Sequence, residues 1–188
     1  MVLNQGKSRG INFSPLNQSP WFLTAEEKNH FAAEEFVKGL PVLRNNDISY
    51  LQDMFYLLAS RLPSNININQ VNCWHNFSGE FHNVCHHPAI LDYVADILGP
   101  NFYHLAGQFF VEYPNDCLGS NRSDQIRAGI TIRYFPTRVK CDLSIWPNFE
   151  SYLARGEDSH QLNSVSRVPH GESHPEKKFQ HSSEVIWD

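Results

Sequence analysis

Two arginines stand six residues apart in a segment that alternates between polar and apolar residues, Arg127-Ala-Gly-Ile-Thr-Ile-Arg133-Tyr134. Because successive side chains of a strand point to opposite faces, Arg127, Thr131 and Arg133 share one face with Gly129. A guanidinium binds a carboxylate or a phosphate through two parallel hydrogen bonds. The pattern therefore fits either a small-anion pocket or an exposed strand face with two solvated arginines, and spacing alone favours the solvated face.

A second strand-like run precedes this one, across a polar connection that is rich in turn residues. It reads Gln108-Phe-Phe-Val-Glu-Tyr113 and is closed by Pro114, and its aromatic and β-branched content is typical of a strand. Gln108, Phe110 and Glu112 fall on one face, and Phe109, Val111 and Tyr113 fall on the other. The sequence leaves open which face points inward.

Three segments, in this order, resemble the phytanoyl-CoA dioxygenase family of iron(II)- and 2-oxoglutarate-dependent oxygenases. They match the family's opening helix, its second helix with the first core strand, and its last core strand: Leu23–Phe31, His86–Pro100 with Gln108–Pro114, and Ile126–Thr137. The endings Arg133-Tyr-Phe-Pro136 and Trp146-Pro-Asn148 also resemble the carrier-protein-dependent halogenase branch. The resemblance implies a mainly β, α+β fold with N-terminal helices and a jelly-roll or cupin-like double-stranded β-helix. It also implies Fe(II) and 2-oxoglutarate as cofactors and a small-molecule or carrier-bound substrate.

The resemblance also implies roles for the arginine strand and ligands for iron. Arg127 would hold the distal carboxylate of 2-oxoglutarate, with Thr131 or Arg133 as a hydrogen-bonding neighbour. A His-x-Asp motif is expected just after Asp116, and a second histidine shortly before the arginine. No histidine lies between His104 and His160. We therefore expect an incomplete double-stranded β-helix without iron ligands, in one domain over residues 21–188 with a junction near 114–120, after a flexible arm over 1–20.

Three functions follow from this pattern. The first, which the missing ligands favour, is a truncated and inactive oxygenase relative. The second is an active oxygenase with rearranged ligands, taken from the tail pairs His170-Gly-Glu172 and His174-Pro-Glu176 or from His75 and Cys85-His86-His87, since a facial triad needs two histidines and a carboxylate. The tail pairs lie in a polar stretch, which favours a solvated tail. The third is a non-enzymatic binding module that dimerises through open sheet edges.

The remaining histidines and the cysteines show no recognisable metal spacing. Cys73, Cys85, Cys117 and Cys141 form no Cys-x-x-Cys pair, which predicts reduced thiols and disfavours structural zinc. The segments Trp74–Phe77 and Phe81–His82 mix aromatic residues with histidines, and we interpret them as core packing with hydrogen-bonded imidazoles. No metal ligand is assigned.

Composition excludes several classes of protein. The chain has 188 residues, 41% of them hydrophobic, which is enough for one domain with a core. A net charge of -5 and scattered basic residues give no reason to expect nucleic acid. No apolar run approaches the ~20 residues of a membrane span, and residues 1–9 lack the apolar core of a signal peptide. We expect a cytoplasmic protein.

The sequence also predicts the elements around the two strands. A capping box at Thr24 and Glu27 starts a helix that should run to about Lys38 and stop at Gly39. Other helices are predicted from Ile48 to Arg61 and from Pro88 to Leu98, the last with an apolar side of Ile90, Leu91, Val94, Ile97 and Leu98. Ser64–Asn72 is predicted to be a loop or a short edge strand, Phe102–Tyr113 a strand pair or one bulged strand, and the tail from Arg138 irregular.

Overall fold

The computed structural model describes residues 21–114, 121–147, 149–169 and 171. Within them, four helices precede a small antiparallel sheet of three strands. The elements are α1 (Ala25–Glu34), α2 (Asn45–Ser60), α3 (Gly79–Cys85), α4 (Pro88–Leu98), β1 (Phe102–Glu112), β2 (Arg127–Pro136) and β3 (Tyr152–Arg155). The α+β class is confirmed for this part, although helices hold more residues than strands, so the expected dominance of β structure is absent from it. The predicted arm, the junction after Pro114 and most of the histidine-rich tail lie outside the described residues.

Helix α1 begins as the sequence predicts and ends earlier. The Glu27 carboxylate accepts from the Thr24 backbone N–H (2.7 Å), and the Thr24 hydroxyl accepts from the Glu27 N–H (3.2 Å), which confirms the capping box. The helix stops at Glu35, which adopts a left-handed φ of 63°, instead of at Gly39. The segment after it packs Val37, Leu40 and Val42 against the cluster around Trp21, and this packing outweighs the local glycine signal.

The other predicted helices are confirmed with changes in detail. Helix α2 starts at Asn45, three residues before the predicted position, because the Asp47 carboxylate accepts from the Arg44 N–H (2.9 Å). Helix α4 has the predicted bounds, with Pro88 in its first turn and Gly99 at its C-cap. Its buried side is Ala89 and Tyr93, and the predicted apolar side is only partly covered. The 64–72 segment is a loop, one of the two predicted alternatives, and it contains a 3-10 turn at Ile68–Gln70.

An aromatic core joins the helices to the sheet. Phe109 of β1 lies edge-on to Phe55 of α2 (5.3 Å between centroids), to Trp74 (5.8 Å) and to Phe81 of α3 (5.0 Å). Leu51 and Leu58 of α2 pack into the same cluster. Gly107 allows this approach, since a Cβ atom there would stand 2.7 Å from the Phe81 ring. The core therefore fixes one face of β1 against α3.

The sheet has the order β2-β1-β3, and β1 is one strand with a bulge. β2 pairs with β1 from Glu112–Arg127 to Phe102–Pro136, with a register shift between His104 and Ala106, which confirms the bulged alternative. β3 pairs with the first residues of β1. The tail beyond Arg138 was predicted to be irregular, and this was wrong for Tyr152–Arg155, where edge pairing supplies the order that the local pattern lacks.

The two faces of the sheet have different surroundings. Ile130 and Ile132 pack against the aromatic core with Phe109 and Val111, so the helices cover that face. On the other face Phe110 is 57% exposed. No second sheet covers this face within the described residues. The described part therefore contains one sheet that is backed by helices on one face.

Candidate functional site

The arginines predicted to bind a carboxylate lie on the open face of the sheet. Ile130 and Ile132 point to the helices, so the alternation of a strand places Arg127, Thr131 and Arg133 on the opposite side. Thr131 stands across from Gln108, and Arg127 stands across from Glu112. The open face thus contains the polar residues of both strands. The sequence left open which face of β1 points inward, and the structure shows that Gln108, Phe110 and Glu112 lie on the open face.

Arg127 already has an anionic partner in the chain itself. Its Nη1 lies 3.3 Å from Oε2 of Glu112, and the Arg127 side chain is 62% exposed. Exposure lets water screen the pair, so its contribution to stability is small. The pair nevertheless places a carboxylate against the guanidinium that the resemblance assigns to 2-oxoglutarate.

Four histidines meet on the helix-covered side of the sheet, and the sequence named two of them, His75 and His86, only as alternative ligands. His75 lies in a 3-10 turn (Trp74–Asn76), His82 lies in α3, His86 caps the end of α3, and His104 lies at the bulge of β1. The ring centroids of His75 and His104 are 4.0 Å apart, as are those of His82 and His86, and His86 and His104 are 5.2 Å apart. We call these four residues the histidine cluster.

Six of the eight ring nitrogens of the histidine cluster lack a hydrogen-bond partner. One ligand atom each from His82, His86 and His104 lies within 4.8 Å of the other two. Both nitrogens of His75 and of His104, Nδ1 of His82 and Nε2 of His86 are buried without a hydrogen-bond partner. The sequence-based interpretation was right that His75 and His82 are buried. The expected hydrogen bonds are missing at both nitrogens of His75 and at Nδ1 of His82.

Burial keeps the histidine cluster uncharged. Burial first, and the neighbouring imidazoles second, lower the pKa of His75 to about 3 and that of His104 to about 2. The pKa of His82 is lowered to about 3 by burial first and by His86 second. Burial also lowers the pKa of His86. At neutral pH each ring therefore offers a lone pair.

The described cysteines are protonated thiols. Cys73, Cys85 and Cys141 are free, which agrees with the prediction of reduced cysteines for the part of the chain that the structure covers. Burial raises the pKa of Cys73 to about 11, against the opposing charge of Arg133, and raises the pKa of Cys85 well above its ordinary value. A thiol must lose its proton to ligate a metal, so the imidazoles are the better donors. Cys117, His170 and His174 lie outside the described residues.

Solved structures share this fold at low sequence identity. CytC3 with Fe(II) and alpha-ketoglutarate, another name for 2-oxoglutarate, superimposes with a TM-score of 0.62 and 13% identity over 79% of this chain and 95% of that chain. The non-heme monooxygenase ThoJ in its nickel complex gives a TM-score of 0.57 and 15% identity over 77% and 89%. No family model and no curated protein sequence matches the chain. The resemblance to iron(II)- and 2-oxoglutarate-dependent oxygenases is thus confirmed at the level of the fold.

The described residues do not form a site that could bind iron and 2-oxoglutarate together. A facial triad combines two histidines with one carboxylate, whereas the close group found among the described residues consists of His82, His86 and His104 alone. That group lies on the helix side of the sheet, and Arg127 lies on the other side with Glu112 as its partner. One iron site cannot use both the histidine group and Arg127.

None of the described helices is long and apolar enough to cross a membrane.

Only part of the histidine cluster could be predicted from the sequence. His82 and His86 are four residues apart, the spacing that puts two side chains on one side of a helix. That spacing could have suggested a pair of ligands. His75 and His104 join them only because the 3-10 turn and β1 both pack on α3, which no local pattern reveals.

Proposed function

We propose that this chain is a relative of the iron(II)- and 2-oxoglutarate-dependent oxygenases that keeps their fold without carrying out their reaction. The ion pair between Arg127 and Glu112 is the observation that supports this most directly. To bind 2-oxoglutarate, Arg127 would have to leave Glu112, and the carboxylate of Glu112, which is 21% exposed, would then stand beside a second carboxylate. Two like charges at that distance repel each other.

The connection between β1 and β2 supports the same proposal. It spans residues 113–126 and contains no histidine, although the resemblance expects the iron-binding motif in this part of the chain. The iron supplies the oxidising chemistry in such enzymes, and the protein places it and excludes water. Neither this connection nor the described part of the open face contains a histidine that would hold iron.

Succinate formation tests the proposal without knowledge of the substrate. The full chain is incubated in air with Fe(II), 2-oxoglutarate and ascorbate, and succinate is quantified by mass spectrometry. We expect no more succinate than with heat-denatured protein, because decarboxylation requires iron and the keto acid in one site. Multiple turnovers that disappear in Arg127→Ala would contradict the proposal.

Two further variants test the alternative of an active oxygenase whose rearranged ligands come from the tail. His170→Ala and His174→Ala remove the histidines of the two His-x-Glu motifs in the tail. If the chain forms succinate and either variant abolishes it, the ligands come from the tail and the chain is an active oxygenase. We expect both variants to match the parent chain at the background level.

A further inference from the structure

We propose that His82, His86 and His104 bind a zinc ion, with His75 beside them as a fourth imidazole ligand. The site is separate from the open face of the sheet and from any 2-oxoglutarate chemistry. Its ligands differ from a facial triad, because they are imidazoles alone. Its position also differs, because it lies between α3 and the helix-covered side of β1.

A hydrogen bond prepares His86 as a ligand. Its Nδ1 lies 2.8 Å from the backbone carbonyl oxygen of His82. A carbonyl oxygen only accepts, so Nδ1 carries the proton and donates, and Nε2 keeps its lone pair. Nε2 is buried without a partner. Metal-binding histidines commonly donate their other nitrogen to a carbonyl or carboxylate in this way, which fixes the tautomer and the orientation of the ring.

The unpartnered nitrogens support the presence of a bound ligand. Buried polar side-chain atoms in folded proteins have a partner in the large majority of cases, and leaving one without a partner is unfavourable. Here six ring nitrogens in four adjacent histidines have none. His75 and His104 are completely buried, so bulk water does not satisfy them. A metal ion among the rings would accept one lone pair from each imidazole.

Rigid elements hold the ligands in place. Ser78 caps α3 by accepting the Phe81 backbone N–H (3.0 Å), and the Tyr134 hydroxyl of β2 donates to the backbone carbonyl of Cys85 at its other end. His82 and His86 are thereby fixed relative to the sheet that carries His104. Ligands on fixed elements are the arrangement that a tight metal site requires.

The distances permit closure around an ion. Zinc binds imidazole nitrogen at about 2.0–2.1 Å, so two nitrogens of a tetrahedral site stand about 3.4 Å apart. The three candidate atoms lie within 4.8 Å of one another. Small side-chain rotations would bring them to the tetrahedral spacing.

The ligand chemistry selects the class of metal. Calcium and magnesium require oxygen ligands, and the close group contains none. Imidazole suits zinc, copper, nickel and iron. Zinc has no geometric preference from d-electrons and accepts tetrahedral nitrogen sites, so it matches a cluster in which helix and strand already set the directions.

Zinc titration of the full chain tests the site. The protein is stripped with EDTA, dialysed and titrated with Zn²⁺ by calorimetry, and Co²⁺ is used in parallel because tetrahedral cobalt absorbs in the visible range. We expect one zinc per chain, a rise in melting temperature and the absorption bands of tetrahedral Co²⁺. Failure of both ions to bind at micromolar concentrations would overturn the proposal.

Matched variants locate the binding. His86→Gln keeps the size of a half-buried side chain and removes the imidazole, and we expect it to weaken zinc binding more than tenfold with an unchanged far-ultraviolet circular dichroism spectrum. His160→Ala removes an exposed histidine outside the cluster, and the double variant His170→Ala with His174→Ala removes two imidazoles of the tail. These controls should bind zinc like the parent. If His86→Gln also binds like the parent, or the tail variant loses the ion, the site is not the histidine cluster.

Discussion

Replacing Phe109 with alanine should lower the free energy of unfolding by about 3–5 kcal/mol, the range for large aromatic side chains in a core. Phe109 is 2% exposed and lies edge-on to Phe55, Trp74 and Phe81 at centroid distances of 5.0–5.8 Å. Its removal leaves a cavity where α2, α3 and β1 meet, and these rigid elements cannot close it fully. Urea unfolding followed by tryptophan fluorescence measures the change.

The neighbouring residue provides the control. Phe110 follows Phe109 in β1, points to the open face and is 57% exposed. Phe110→Ala should change the free energy of unfolding by only about 0.5 kcal/mol, as for other surface substitutions. Equal losses of stability in the two variants would mean that Phe110 is covered in solution. That result would contradict the assignment of the two faces.

Gly156→Ala should cost about 2–5 kcal/mol of stability, from two separate causes. Gly156 follows β3 with a left-handed φ of 76°, which costs a non-glycine residue roughly 1–2 kcal/mol. A Cβ atom there would also collide with the backbone carbonyl oxygen of Pro100 and the side chain of Asn101. Overpacking of this kind costs about 1–3 kcal/mol. Asn101 cannot easily move, because its Oδ1 accepts the Glu157 N–H (2.9 Å) and its backbone carbonyl accepts the Thr137 N–H (3.2 Å).

Gly39→Ala isolates the collision from the backbone strain. Gly39 has a similar φ of 78°, and nothing lies within 4 Å of a Cβ atom built on it. It should show only the left-handed cost of roughly 1–2 kcal/mol. Thermal and urea unfolding of both variants give the difference. If Gly39→Ala is as destabilising as Gly156→Ala, the contact between β3 and the start of β1 is not as tight as described.

Much of the fold could be predicted because the deciding signals are local. Pro88 and Gly99 mark the ends of α4, and the alternation of residues 127–134 marks β2 and its faces. The end of α1 at Glu35 and the strand β3 could not be predicted, because packing on Trp21 and pairing with β1 decide them. Tertiary contacts override propensity at both places.

The candidate sites divide along the same line. Arg127, Thr131 and Arg133 were predicted from period-two spacing and the resemblance, and the packing of Ile130 and Ile132 places them on one face. That Glu112 pairs with Arg127 depends on the register of two strands. The histidine cluster depends on three elements packing together, which only the structure reveals. A shared fold does not fix the function, since function resides in the site.

The most direct test of the central claim is an anaerobic titration of the full chain with Fe(II) and 2-oxoglutarate, followed by visible absorption. A keto acid chelated to Fe(II) gives a weak charge-transfer band, whereas iron held by imidazoles alone does not. We expect no band at any iron concentration, whether or not Fe(II) enters the histidine cluster. A band that saturates with 2-oxoglutarate and disappears in Arg127→Ala would contradict the account and make the chain a working oxygenase.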